Sequence, residues 1–424
     1  SWAKSTKQPY KEELLNDLRR SGTTIAKDLN AEEIGTITEA DSAVEKVSFY
    51  TNGSFTDLCR GPHVNDTGKV GAFKLMRVAG AYWRGKETNP QMQRVYGVAF
   101  ETEKELRRHL NLLEEAKKRD HRKLGQELDL FYFHNTAPGM PYWLPNGVAL
   151  YNELVNFWRY EHSKRGYMEI VSPLINKKEL YQTSGHFDHY WEEMFTTEET
   201  DEGELYGLKA MNCPNAMIIF GRKQHSYREL PMRLSDTDTL HRFERSGTLN
   251  GLLRVREFRQ DDAHVFVSED QVKAEYKRIF EITEQFYSIF GMEYSFRLGT
   301  RPDKAMGDLG LWNKAEAALK EILEESGKEY FIEEGDGAFY GPKIDILMKD
   351  VLGRPWQMGT IQLDFQQPLR FNLKYTDADG SEKTPIVIHR VIYGSLERFI
   401  GILIEHTAGK FPVWLAPEQI RLIT

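Results

Sequence analysis

The 424-residue chain holds two cysteines, Cys59 and Cys213, too few for a disulfide framework, so a reducing compartment is its expected setting. No apolar run approaches the roughly 18 residues of a membrane span, and the opening stretch SWAKSTKQPYKEELL lacks the core of a signal peptide. A cytoplasmic protein with no membrane partner is the expectation. Two phosphate-binding signatures are missing as well: there is no P-loop, and Gly335, Gly337 and Gly341 in GDGAFYG miss the dinucleotide fingerprint's spacing. No short metal-ligand spacing of the C-x-x-C or H-E-x-x-H kind occurs, which removes the base a zinc hydrolase would need. Repeats and low-complexity tracts are absent too. A net charge of −8 argues against wholesale coating of nucleic acid without forbidding a local basic face. What remains is ordinary for a globular protein, 40% hydrophobic and 28% charged, with length for two or three domains.

Residues 1–100 alternate turn-rich segments such as TNGSFTDLCRGPHVNDTGKVGAF with short apolar runs, and read as a small α+β unit. Residues 101–127, ETEKELRRHLNLLEEAKKRDHRKLGQE, are strongly charged, with Leu106, Leu110 and Leu113 at helical spacing. A solvated connecting helix is predicted there, its basic residues serving solubility. From Leu128 a helix at about 147–164 leads into GYMEIVSP, a strand ending in proline. Strands follow in YGLKAM, HRFERSG, LLRVREFRQDDAHVFV, MEYSFRL, EYFIEEG, KIDILMKD and PWQMGTIQLDF, with helices at about 269–290, 313–326 and 395–408. Successive strands with short turns predict an antiparallel sheet carrying helices. The division is then 1–100, a linker at 101–127, a main domain at 128–415, and at 416–424 the start of a further domain.

Three zinc-compatible side chains lie far apart: Cys213 in MNCPNAM, His264 in RQDDAHVF and His389 in VIHRVIYGSLERF. Around His264 the chain reads as a buried strand, which puts Gln260, Asp262 and His264 on one face and Arg259, Asp261 and Ala263 on the other. Pro214 suits a first helical turn, and a helix N-terminus would draw the Cys213 thiol towards thiolate. Three protein ligands leave tetrahedral zinc one open position. On their own these three residues fit ordinary packing roles as well. In HRFERSGTLNGLLRVREF, Arg242 and Glu244 are predicted on one strand face, with Arg254 and Arg256 returning on the facing strand. Such a hairpin can place guanidinium groups on phosphates and Glu244 on an adenine-like amino group. A solvated surface hairpin fits that spacing equally.

Taken together, these segments resemble the signature motifs of class II aminoacyl-tRNA synthetases: GYMEIVSP the first, at the dimer interface, the R-x-E hairpin the second, which binds ATP, and GSLERFIGILIEH the third, which carries an arginine. The set in MNCP, QDDAH and VIHR is similar to the zinc site of the threonyl-tRNA synthetases within that class. The likeness runs from about Leu128 to the end, with weaker matches upstream. It implies an α+β fold: a class II antiparallel sheet flanked by helices, preceded by a partial small α+β editing-like domain and followed by the start of an anticodon-binding domain. It implies a homodimeric ligase that uses ATP to make threonyl-adenylate and transfers threonine to tRNA(Thr). Cys213, His264 and His389 would hold one zinc ion per chain. Arg242 on the α-phosphate and Arg398 on the far phosphate would carry catalysis, with magnesium accompanying ATP. Glu244 and Arg254 would take the adenine and phosphate tail, and Gln357, Gln362 and Ser395 would complete the ATP-binding set. Gln260, Asp262 and Tyr340 would line the threonine pocket. In a regular strand Gln357 and Gln362 face opposite ways, so lining one pocket together requires a bulge or bend near Gly359.

Valine is nearly isosteric with threonine, so shape cannot reject it, whereas a site that binds the hydroxyl can. Serine lacks only a methyl, worth roughly 1–3 kcal/mol, and calls for a separate hydrolytic site. Cys59 and His63 in FTDLCRGPHV resemble half of the family's editing site. The other half, a helical H-x-x-x-H pair, has no counterpart among the twelve histidines; His186 and His189 are three apart. A synthetase-like binding protein without the chemistry is the alternative, which intact Arg242, Glu244 and Arg398 oppose.

Overall fold

The structure, a computed structural model, describes residues 2–21, 47–59, 61–85, 88–303, 305–350 and 353–423. The chain divides into two compact units, residues 1–112 and 113–424. The first is a small α+β unit. Its helix Pro9–Ser21 is tied by a Lys11–Asp57 ion pair of 2.9 Å to the hairpin Phe49–Asn52 with Phe55–Leu58, and a longer hairpin pairs Ala72–Tyr82 with Gln91–Phe100.

The second unit is built on an eight-stranded sheet. In chain order its strands are β1 (Tyr167–Glu169), β2 (Met232–Asp236), β3 (Asp262–Val267), β4 (Tyr294–Gly299), β5 (Tyr330–Glu333), β6 (Lys343–Lys349), β7 (Pro355–Asp364) and β8 (Ile386–Val391). Across the sheet they run β5-β4-β6-β7-β8-β3-β2-β1. Pairing is antiparallel except at the two edges, where β5 joins β4 and β1 joins β2 in parallel. Five helices matter to the site: α1 (Pro145–Ser163), α2 (Cys213–Gly221), α3 (Val272–Ser288), α4 (Leu309–Ser326) and α5 (Leu396–Thr407).

Period-two alternation along the central strands sorts side chains between two environments. From β3, Ala263, Val265 and Val267 enter the main core, and from β8, Ile386 and Ile388 do the same. The main core is closed by apolar stripes at helical spacing: Leu150, Leu154 and Trp158 of α1, Ile279 and Phe286 of α3, Leu319 and Leu323 of α4, Phe399 and Leu403 of α5. Each such side chain contributes about 1.5–3 kcal/mol by burial. The opposite face of the same strands carries Phe266 and Val387, which pack with Met217 and Phe220 of α2. Asp262, His264 and His389 share that second face, so hydrophobic packing on one side of the sheet aims polar groups to the other.

Several expected elements are shorter or divided. The connecting helix is two helices, Glu103–Arg119 and His121–Glu127; Asp120 caps the second by accepting a hydrogen bond from Arg122 N at 2.9 Å. GYMEIVSP contributes only the three residues of β1. LLRVREFRQDDAHVFV is not one strand: Glu257–Arg259 pairs with Thr239–His241 in a separate ribbon, and β3 begins only at Asp262. The break falls where Asp261 turns its carboxylate to the backbone N–H groups of Ile392 and Gly394, at 3.0 and 3.1 Å. Arg242 and Glu244 lie just beyond the ribbon, on irregular backbone rather than on one strand face. Residues 416–423 contain neither helix nor strand. Among the described residues no helix is long and apolar enough to cross a membrane.

Candidate active site

On the sheet face away from the main core lies a cavity of about 460 Å³, into which Arg242, Glu244, Arg254, Gln260, Asp262, Tyr340, Gln357, Gln362, Ser395 and Arg398 all project beside Cys213, His264 and His389. The two glutamines reach it together because β7 is bulged. Opposite β6, Ile346 pairs with Gly359 and Leu347 with Gln357, so Met358 is an extra residue that resets the alternation. Gly359 is needed there, since a Cβ would stand 2.3 Å from the Val391 carbonyl oxygen. Gln357 is held at both ends: its Nε2 donates to Asp345 and Thr360 at 2.7 and 3.0 Å, and its Oε1 accepts from Arg297 at 3.1 Å. Gln362 accepts from the Tyr340 hydroxyl at 2.6 Å.

At one end of the cavity, ligand atoms of Cys213, His264 and His389 lie within 4.8 Å of one another. The two histidines are cross-strand partners on β3 and β8, with ring centroids 4.9 Å apart, and Cys213 enters from the first turn of α2. Nε2 of His389 meets the Asp364 carboxylate at 2.8 Å, and Asp364 is fixed in turn by the N–H groups of Gln366 and Gln367. A carboxylate can only accept, so Nε2 carries a hydrogen and Nδ1 is the ring nitrogen left to face a metal. His264 Nδ1 is buried without any partner. Burial pulls His264 down to about 4, keeping the imidazole neutral as a ligand must be. For Cys213 the expectation drawn from the helix terminus is overturned: burial, with the Asp262 and Asp364 carboxylates behind it, pushes the thiol up. A bound divalent cation is the charge that would reverse this balance.

Asp262 stands beside this cluster and accepts from Asn212 Nδ2 at 3.1 Å. Sequence reasoning missed two neighbours. His186 lines the cavity with Nε2 3.8 Å from the Cys213 sulfur, and burial pulls it down to about 3. Asp364 supports His389 from the end of β7. Neither has a spacing signal; folding alone brings them in.

The other end is cationic. Arg242 is flanked by the rings of Tyr190 and Phe258 at 5.5 and 5.1 Å, and its Nε donates to the Ala210 carbonyl at 3.2 Å. Arg398 donates to the carbonyl oxygens of Leu253 and Gln357 at 2.9 and 3.0 Å, while Ser395 caps α5 beneath it. Glu244 and Arg254 hold each other at 2.9 Å. Three guanidinium groups thus face one carboxylate. Burial, then the nearby Arg254 and Arg242 charges, pull Arg398 below the usual arginine range. Such crowding is relieved by a polyanion.

Cys59 and His63 belong to the first unit. Cys59 is half-buried at the end of the strand Phe55–Leu58, and the His63 ring stacks on Tyr50 at 3.6 Å.

Residues 195–407 match the tRNA synthetase class II core domain (G, H, P, S and T), and residues 47–96 match the Threonyl and Alanyl tRNA synthetase second additional domain. The chain belongs to the class II aminoacyl-tRNA synthetases. It is 51% identical over 420 residues to a threonine--tRNA ligase of Clostridium botulinum, aligning over 99% of this chain and 66% of that protein. It is 55% identical over 379 residues to that of Carboxydothermus hydrogenoformans, over 89% of this chain and 60% of that one. The crystal structure of the RNA binding domain of threonyl-tRNA synthetase from Cryptosporidium parvum superposes with a TM-score of 0.68 at 46% identity, covering 70% of this chain and 74% of that one. Within the class, the family is that of the threonyl-tRNA synthetases. The chain spans about two thirds of the length of the curated relatives it matches.

Proposed function

We propose that the chain is the activating core of a threonine–tRNA ligase, which joins ATP and L-threonine into threonyl-adenylate and passes threonine to tRNA(Thr). One observation carries this reading: a single cavity sets the Cys213, His264 and His389 donors beside Asp262 at one end and three arginines at the other. The donor set fits zinc, with two imidazoles, a thiol and the Asp364 carboxylate supporting His389. Zinc bound there would supply a Lewis-acid anchor for threonine's amino nitrogen and hydroxyl oxygen. Asp262 accepts the hydroxyl hydrogen, and Gln260 and Tyr340 wall the pocket. ATP, accompanied by magnesium, exchanges the Glu244–Arg254 pair for its own contacts, adenine on Glu244 and the phosphate tail on Arg254 and Arg398. Gln357, Gln362 and Ser395 border the two substrates. The threonine carboxylate then attacks the α-phosphate in line and pyrophosphate leaves, with Arg242 meeting the charge that develops.

The test is threonine-dependent exchange of pyrophosphate into ATP by the zinc-loaded chain. Exchange is expected; its absence would overturn the reading. Valine in the pocket would leave Asp262 without its hydrogen, at about 1–3 kcal/mol. Asp262→Ala is therefore expected to cut the preference for threonine over valine by roughly tenfold or more while KM for ATP holds. Equal losses for both amino acids would assign Asp262 another task.

The chain is also proposed to act as a homodimer. Edge strand β1 and the segment after it expose Met168 (48%), Val171 (82%) and Ile175 (53%), an apolar edge of the kind that an isologous partner covers. Light scattering at micromolar concentration is expected to give two chains per particle and Val171→Asp to give one; an unmodified chain that scatters as a monomer contradicts the pairing.

A further inference from the structure

His121 opens the short helix His121–Glu127 inside a segment dense with charge, yet it is buried to 1% exposure. Both ring nitrogens are engaged. Nδ1 lies 2.7 Å from the Glu405 carboxylate of α5, and Nε2 lies 3.0 Å from the backbone nitrogen of Leu252. The carboxylate can only accept and the N–H can only donate, so the imidazole is neutral with its hydrogen on Nδ1. Asp120, His121 and Glu405 are close enough together to suggest a metal set, but His121 has no lone pair left to give, and Asp120 is occupied by Arg122 at 2.6 Å. The arrangement is a clamp instead.

What it clamps is the loop beside the cationic end of the cavity. Gly251, at φ +52°, lies so close that a Cβ would stand 2.2 Å from His121 Nε2. Leu252 is fully buried. The Leu253 carbonyl receives Arg398 at 2.9 Å, and Arg254 follows directly into the cavity. The Leu252 hydrogen bond thus ties His121 to the stretch whose carbonyl aims Arg398 and whose backbone presents Arg254, alongside the loop's own Leu253–Asn250 and Asn250–Arg254 backbone bonds.

We propose that His121 is a positioning residue for ATP, holding the Gly251–Arg254 loop through the Leu252 N–H while Glu405 locks its tautomer. This rests on the reading that Arg254 and Arg398 bind the phosphates. It makes the seat of the segment that follows the connecting helix a determinant of ATP binding in a cavity that segment never enters.

Two variants separate positioning from packing. In His121→Gln the amide oxygen can still accept from Leu252; in His121→Asn the shorter side chain reaches Glu405 but not the loop. In pyrophosphate exchange His121→Asn is expected to raise KM for ATP about tenfold, the cost of an unpaired buried N–H, with KM for threonine unchanged and His121→Gln close to the unmodified chain. In ¹⁵N NMR of the unmodified chain the His121 ring should show hydrogen on Nδ1, and Glu405→Gln should leave it there, because the amide oxygen can still accept from Nδ1 while Leu252 still donates to Nε2. Equal losses in both variants, parallel rises in both KM values, or an Nε2–H ring in the unmodified chain would overturn the proposal. No threonine-dependent exchange in the unmodified chain would instead overturn the ATP reading itself, and the positioning role with it.

Discussion

Arg242→Ala is expected to slow threonine-dependent exchange by about 10²- to 10³-fold, the range for losing a preorganised group that meets developing charge. The expected loss falls mainly on kcat, because only an interaction that is stronger in the transition state than in the ground state speeds the step. The geometry around Arg242 supports such a role. Two aromatic rings hold the guanidinium plane, and Nε is spent on the Ala210 carbonyl, which leaves the Nη edge for a ligand. Arg242→Lys should not restore the rate, since a point charge cannot both stack and fork. Steady-state exchange kinetics check this, and a rise in KM for ATP with kcat unchanged would make Arg242 a binding residue alone.

Cys213→Ala is expected to strip the chain of zinc and with it threonine activation. Two imidazoles would remain, and one of them, His264, has no supporting partner on Nδ1. Asp364→Asn should act more gently, weakening zinc by about 10- to 100-fold, as changes to a ligand's supporting hydrogen bond do. Elemental analysis after dialysis against a graded chelator reads both. Full zinc retention in Cys213→Ala would remove the thiol from the site, whereas equal losses in the two variants would mean that Asp364 is itself a ligand.

Legibility in the sequence followed the range of the forces involved. The helices near 147–164, 269–290 and 395–408 were visible because their apolar stripes repeat within a few residues, and the structure places α1, α3 and α5 there. The convergence of Cys213, His264 and His389 was suggested by chemistry and resemblance, and the β3–β8 register brings the two histidines opposite each other. The conflict between Gln357 and Gln362 could be posed from strand alternation alone, and the bulge at Met358 resolves it. Reading failed where one residue's partner is far along the chain. Asp261 ends a strand by bonding to Ile392 and Gly394, and His121 looked like one more solvated residue of a charged helix until Glu405 and Leu252 were beside it. The Cys213 thiol follows the same rule: the helix start is local, but the desolvation that outweighs it comes from the whole fold.

The extra residue in β7 has a consequence for how that wall of the cavity can vary. A strand with unbroken alternation must give every second side chain to the ligand, so its polar and apolar choices are tied together along its length. The slip at Met358 cuts that tie: the Gln357 side follows one phase and the Gln362 side the other. The first half answers to Arg297 and Asp345, the second to Tyr340 and His389. Two halves of one strand can thus be altered independently, one bordering the cationic end and the other the donor cluster, while the ladder to β6 runs along both and that to β8 holds only Thr360–Asp364.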